Sequence, residues 1–190
     1  MRLLIAVVIV VITQALSGCA AVVVSSAAVG ALSVNEDQRS LGMQLDDTTN
    51  ASKLSRALSE DSDLDEHARI NVHLYNNSAL LVGQAPTKTL IIRAENIAKN
   101  TLSLNKLHNQ IRLGSPTAAT TRAHDVWLKS KIVGNLLSDK TVNSLQIDVI
   151  VEDSEVFLMG IVDNNQASKI VEIVRNIDGV IKVVSIFEIQ

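Results

Sequence analysis

The chain has 190 residues, 47% apolar but only 2% aromatic, and carries 17 basic against 20 acidic side chains for a formal charge of −3. Two small domains fit this length. The acidic balance argues against a nucleic-acid partner, and a single cysteine rules out an internal disulfide framework.

The N-terminus has the three-part layout of an export signal: Arg2, an uninterrupted apolar run over 3–12, and small residues ahead of a cysteine in Leu16-Ser17-Gly18-Cys19. This is a lipobox, in which a thiol takes a diacylglyceryl group and small side chains give the peptidase access to the backbone. Residues 1–18 are expected to be a lipoprotein signal peptide and Cys19 the lipidated N-terminus. That covalent lipid is the only cofactor expected. Apolar residues continue over 20–32, but Thr13, Gln14 and a run of small residues interrupt the pattern of an uncleaved membrane helix. Each buried methylene of a lipid chain adds ~0.8 kcal/mol, so several chains anchor a protein firmly. Ala20 stands where an aspartate retains lipoproteins in the inner membrane of enteric-type bacteria, which favours the outer membrane. Residues 19–45 read as a tether, small and apolar at first and polar from Ser33. Its apolar half has two open placements, against lipid or against the first domain.

The rest of the chain is organised by a repeat of about 77 residues. Ile70-Asn71-Val72-His73-Leu74 followed by Ala79-Leu80-Leu81-Val82-Gly83 lines up with Ile147-Asp148-Val149-Ile150-Val151 followed by Val156-Phe157-Leu158-Met159-Gly160. Polar turns, Tyr75-Asn76-Asn77-Ser78 and Glu152-Asp153-Ser154-Glu155, separate the halves, so each copy contains a β-hairpin. A helical stripe precedes each hairpin, through Ala51, Leu54 and Leu58 and through Leu128, Ile132 and Leu136. Another follows, through Leu90, Ala94, Ile97 and Ala98 after Pro86, and through Ala167, Ile170, Val171 and Val174 after Asn164-Asn165. Each copy closes with a strand, over 104–113 and 180–189. The fold class is therefore α+β: two tandem α-β-β-α-β units, at 46–113 and 117–190, each a three-stranded mixed sheet with two helices on one face. At roughly 65 residues per unit, each core is near the lower limit for folding alone, which favours a compact pair. Gly83 and Gly160 end the hairpins, where a positive φ or the close approach of a helix calls for glycine.

That repeated unit, with its hairpin glycine, resembles the BON domain. Arg39-Ser40-Leu41-Gly42, Gln44-Leu45-Asp46-Asp47, Ala68-Arg69-Ile70-Asn71-Val72, Leu80-Leu81-Val82-Gly83-Gln84 and Glu155-Val156-Phe157-Leu158-Met159-Gly160 resemble the dual BON-domain lipoproteins of the enteric outer membrane. The resemblance implies a non-enzymatic envelope-integrity protein on the periplasmic face of that membrane. It implies binding to anionic phospholipid through the second BON domain, gathering at division sites, and a link to the outer-membrane protein assembly machinery. A monomer is expected.

Trp127, the one tryptophan, lies off the stripe of Leu128, Ile132 and Leu136, with Lys131 one turn on and Lys129 and Arg122 nearby. Tryptophan favours the lipid–water boundary, and each lysine beside it attracts anionic lipid by ~1 kcal/mol. The family's lipid-binding helix carries a tryptophan at the matching place, so the candidate phospholipid site is Trp127, Leu128, Lys131, His124 and Arg122. Large aromatics more often pack into a core, and residues 115–190 hold more acidic than basic groups, so any attraction must be local. His124 and Val126 flank Asp125 where the family has small polar residues.

Catalysis has little footing. Asp65, Glu66, His67 and His73 are close in sequence, but strand alternation turns His73 with Arg69 and Asn71 toward the face away from Ile70 and Val72, expected to be solvent. His108 and His124 are remote, so neither a metal-ligand cluster nor a nucleophile triad emerges. The acidic run over 60–66 lacks the glycine and closing glutamate of an EF-hand and reads as a solvated turn. Two binding roles remain: a membrane-surface module using the helix at Trp127, and a scaffold for protein partners using the first domain or the open sheet face.

Overall fold

The computed structural model describes Asp37 and residues 39–190. Cys19, its lipobox and most of the expected tether lie outside these residues. The first helix, α1 (Leu41–Ser59), begins inside the span expected as tether, because the Ser40 hydroxyl caps it by accepting from the Met43 amide at 3.1 Å. Its buried face is Asp47, Leu54 and Leu58. The acidic run is not a free turn but a short helix, α2 (Ser62–His67). Asp61 caps it through the Leu64 amide, Leu64 is its buried anchor, and Arg93 pairs with Asp61 at 3.2 Å and Asp63 at 2.7 Å.

Strands β1 (Arg69–Tyr75) and β2 (Ser78–Ala85) form the first hairpin. Asn76 and Asn77 both take positive φ, 49° and 57°, as a two-residue turn matched to strand twist requires. Helix α3 (Lys88–Thr101), capped by Thr87, returns the chain to β3 (Lys106–Leu113), which lies parallel to β2. The second copy repeats the plan. It runs through α4 (Ala119–Ser138), a 3₁₀ turn (Ser144–Gln146), β4 (Ile147–Glu152), β5 (Glu155–Val162), α5 (Asn164–Arg175) and β6 (Lys182–Ile189). Its turn residues Asp153 and Ser154 again have positive φ, 50° and 62°. The sheets are three-stranded, ordered β1-β2-β3 and β4-β5-β6, antiparallel then parallel, as the sequence predicts.

Gly83 is required by the close approach of the paired strand β1, and Gly160 by that of the last residue of the 3₁₀ turn, where the chain enters β4. A Cβ on Gly83, at φ 124°, would stand 1.9 Å from the Arg69 carbonyl oxygen, and one on Gly160 2.7 Å from that of Gln146.

The central strands are buried along nearly their whole length because both faces of each sheet are covered. Leu81 and Ala85 of β2 join Leu54, Leu58, Leu90, Ala94 and Ala98 beneath the helices, and Val156, Leu158 and Val162 of β5 do the same with Leu128, Ile132, Leu136, Ile170 and Val174. The alternate residues meet across the two domains: Tyr75, Leu80 and Val82 pack with Ile150, Phe157, Met159 and Ile161 in a third core, flanked by Val184 and Ile186. The sheet face expected to be open for partners is thus occupied by the other sheet.

Polar bonds edge this seam. The Tyr75 hydroxyl donates to the Gln146 carbonyl at 3.0 Å, and the buried Glu152 carboxylate accepts from Asn71 and Gln84 at 3.0 Å each. Arg112 pairs with Asp153 and Glu155. His73 consequently faces the second domain, half-buried, rather than open solvent. Burial pushes its imidazole below the ordinary value, Lys129 adds to this, and Asp148 and Glu152 oppose it.

Candidate functional site

Helix α4 has no side-chain cap at Ala118, and its position is set instead by one buried carboxylate. Asp125 accepts from the backbone amides of Asp153 at 2.8 Å and Ser154 at 2.9 Å, the two positive-φ residues of the β4–β5 turn. Asp47 does the same in the first copy, accepting from Asn76 at 2.8 Å and Asn77 at 2.9 Å. Two charge-assisted bonds from one side chain fix both the rotation and the axial position of each helix on its hairpin. Sequence reasoning missed this device. Its signal was available in the recurrence of an aspartate ahead of each helical stripe, together with a turn of Asn and Asp/Ser residues that tolerate positive φ.

With Asp125, Leu128, Ile132 and Leu136 turned inward, α4 presents two different flanks. Trp127 lies on one, 54% exposed. The His124 ring stands 5.5 Å from its ring, tilted by 34°, and the Lys131 ammonium sits 5.4 Å from the indole centroid. Lys131 also donates to the Asp178 carbonyl at 3.0 Å. The loop after α5 therefore lies against this flank; at Gly179 an added Cβ would come within 3.3 Å of Leu128 and 3.8 Å of the His124 Nε2. That loop ends in Ile181, 77% exposed, whose amide donates to the Ser154 carbonyl at 3.0 Å. An indole half out of the protein, propped by an imidazole and an ammonium, is an amphipathic surface feature and not a core residue.

The five residues of the sequence-predicted site separate accordingly. Trp127, His124 and Lys131 come together. Leu128 is 0% exposed, so it supports the helix from the core and cannot touch a ligand at the surface. Arg122 sits on the opposite flank, donating to the Thr117 carbonyl at 2.5 Å and lining, with Lys129, a cleft between the domains. The reason is helical geometry: five residues at about 100° each leave Arg122 about 140° from Trp127. Ile181 was not foreseen, since it belongs to a loop whose proximity depends on the β-α-β crossover. Among the described residues no group of His, Cys, Asp or Glu is placed to hold a metal ion, and no helix is long and apolar enough to cross a membrane.

Two tandem sheets with this helix dressing define a repeated α+β module, and the BON domain model matches it twice, at residues 46–115 and 124–190. The chain belongs to the BON-domain family, among its non-enzymatic lipoproteins. The outer membrane lipoprotein DolP of Haemophilus influenzae is 32% identical over 91% of this chain and 89% of its own. The 21 kDa hemolysin of Actinobacillus pleuropneumoniae is 37% identical over 79% of this chain and 77% of its own. Of solved structures, the C-terminal domain of CdsD, a structural protein of the type III secretion system of Chlamydia trachomatis, overlaps 73% of this chain and 96% of its own at 11% identity and a TM-score of 0.31.

Proposed function

We propose that this protein is an outer-membrane lipoprotein, lipidated at Cys19 on the periplasmic face, that maintains envelope integrity by binding anionic phospholipid through α4 and gathers at division sites. The observation that carries the lipid-binding step is the half-exposed Trp127 held between His124 and Lys131, beside the projecting Ile181. An indole at the lipid–water boundary gains from burying its ring while its N–H stays among headgroups. Lys131 supplies local positive charge, worth ~1 kcal/mol near an anionic surface, on a domain that is otherwise acidic. A link to the outer-membrane protein assembly machinery would use the outer faces of the helices, because the sheet faces are occupied by one another.

Since Trp127 is the sole tryptophan, the protein's own fluorescence reports on the site. The full lipoprotein in nanodiscs containing phosphatidylglycerol should show blue-shifted emission, quenched by brominated acyl chains. In purely phosphatidylcholine nanodiscs the emission should stay that of a solvated indole. The same emission and the same quenching in both compositions would sink the proposal.

A further inference from the structure

The flank of α4 turned away from Trp127 borders a cleft between the domains with a volume of about 380 Å³, a size at which small-molecule sites begin. Its walls carry Arg69 of β1, Arg122 and Lys129 of α4, and the side chains of Asn71, His73 and Glu152. What distinguishes the cleft is how its charges are used. Its acids are engaged internally: Asp125 holds the Asp153 and Ser154 amides, and Glu152 accepts from Gln84 and Asn71. Its cations are less fully used. Arg69 is ion-paired with Glu152 at 3.7 Å, but its buried Nη1 has no hydrogen-bond partner. Lys129 makes no ion pair or hydrogen bond with any described residue, and Arg122 commits one nitrogen to the Thr117 carbonyl. A buried guanidinium nitrogen without an acceptor is costly, and the three cations Arg69, Arg122 and Lys129 outnumber the two acids Asp125 and Glu152 that line the cavity, an excess of positive charge that an anion would offset.

We propose that this interdomain cleft binds a phosphate group, held by Arg69, Arg122 and Lys129. Phosphate suits the arrangement better than a carboxylate because its oxygens point in several directions and accept from two guanidinium forks and an ammonium together. The first repeat supports the assignment from a separate direction. When α1 and α4 are superposed on Asp47 and Asp125, Arg122 and Lys129 fall on Gln44 and Ala51, so the cation pair belongs to the second copy alone. The site is independent of the Trp127 surface, and either can fail without the other. The phosphate has two possible sources, a lipid headgroup reaching into the cleft or a soluble phosphate ester.

The full lipoprotein, ¹⁵N-labelled in phosphatidylcholine nanodiscs, is titrated with inorganic phosphate and with glycerol 1-phosphate at constant ionic strength, and separately reconstituted with phosphatidylglycerol. Saturable amide shifts over 69–73 and 122–129 with the soluble phosphates assign a soluble ligand. The same shifts only with phosphatidylglycerol assign a headgroup. In either case Lys129→Gln, an exposed substitution that leaves the fold intact, should weaken the response about tenfold, and Arg122→Gln by a similar factor, while Trp127→Ala leaves it unchanged. No shifts in either arm, shifts matched by equimolar chloride, or a response indifferent to both cation substitutions would overturn the proposal.

Discussion

Asp47 and Asp125 hold their hairpins by the same pair of bonds, yet the helices that carry them differ. The first helix is reinforced at its start: Ser40 caps it, Arg39 pairs with Asp47 at 2.8 Å, and the same guanidinium lies 3.7 Å over the Tyr75 ring. The second has no cap, and its aspartate has no such ion pair. Superposed, Thr49 occupies the place of Trp127, Asp46 that of His124, Gln44 that of Arg122 and Ala51 that of Lys129, while Lys53 and Lys131 agree. A chain that repeats its own unit thus supplies an internal comparison. What both copies keep, the aspartate clamp, the positive-φ turn and the close-approach glycine, is scaffold. What only the second copy has, the aromatic flank and the cationic flank, is where binding is to be sought.

The largest effects should come from the shared glycines, and they should be unequal. Gly83→Ala places a Cβ against the Arg69 carbonyl at a φ that L residues rarely adopt, and should cost about 4 kcal/mol or more. Gly160→Ala meets a milder overlap at an ordinary φ and should cost about 2 kcal/mol. Urea midpoints order the two. Equal midpoints would mean that the strand approach is not the constraint that the geometry indicates.

The clamps come next. Asp47→Ala strands two amides and releases Arg39, for a loss of about 3–4 kcal/mol, whereas Asp125→Ala strands two amides only, for about 2–3 kcal/mol. Because the sheets share one core, both variants should still unfold in a single transition by circular dichroism and by Trp127 fluorescence. A tryptophan transition separated from the circular dichroism transition would break the comparison, making the domains independent units joined by a weak contact.

How far the sequence anticipates this structure differs by level. The stripe residues Leu54, Leu58, Leu128, Ile132 and Leu136 were legible because helical period encodes burial directly. The hairpins and their parallel closing strands followed from the spacing of the repeat. The seam between the sheets was not read, although its sign is in the central strands: Leu80-Leu81-Val82 and Phe157-Leu158-Met159 are apolar at every position, as a strand buried on both faces must be. On β1 the polar Asn71 and His73 suggested solvent, but they sit at the polar margin of the seam, where Glu152 and Asp148 face them. The proposed binding surface divides in the same way. Trp127 and Lys131, a turn apart, could be paired from sequence, while the contribution of Ile181 depends on a loop placed by tertiary packing.

His73 should give a smaller effect, visible in pH. Its folded-state value lies below the ordinary 6.5, with Asp148 and Glu152 of β4 facing it against Lys129 of α4. Below 6.5 the unfolded chain takes a proton that the seam resists, so stability is full above that pH and declines as the pH falls toward the folded-state value. His73→Gln should flatten this acid-side slope in urea unfolding, and a slope unchanged by the substitution would assign it elsewhere. His108, also lowered by burial, with Lys106 adding, is the control from the same domain.

The smallest effect on stability should come from the residue with the largest expected effect on binding. Trp127 is more than half exposed and lies outside the buried core, so Trp127→Ala should move the urea midpoint by an amount equivalent to about 0.5 kcal/mol or less. If that substitution abolishes association of the unlipidated chain with phosphatidylglycerol vesicles, stability and binding are carried by different residues of one helix. The reciprocal change sharpens the point. Thr49→Trp puts an indole at the equivalent place in the first domain, where Asp46 stands instead of His124 and no cationic flank lies behind it. It should confer little vesicle binding on a chain that already carries Trp127→Ala. Full rescue by the transplanted tryptophan would show that any exposed indole on either helix suffices, and that the neighbours of Trp127 contribute nothing specific. Failure to rescue, with the fold intact, ties recognition to the combination of indole, imidazole and ammonium that only the second repeat assembles.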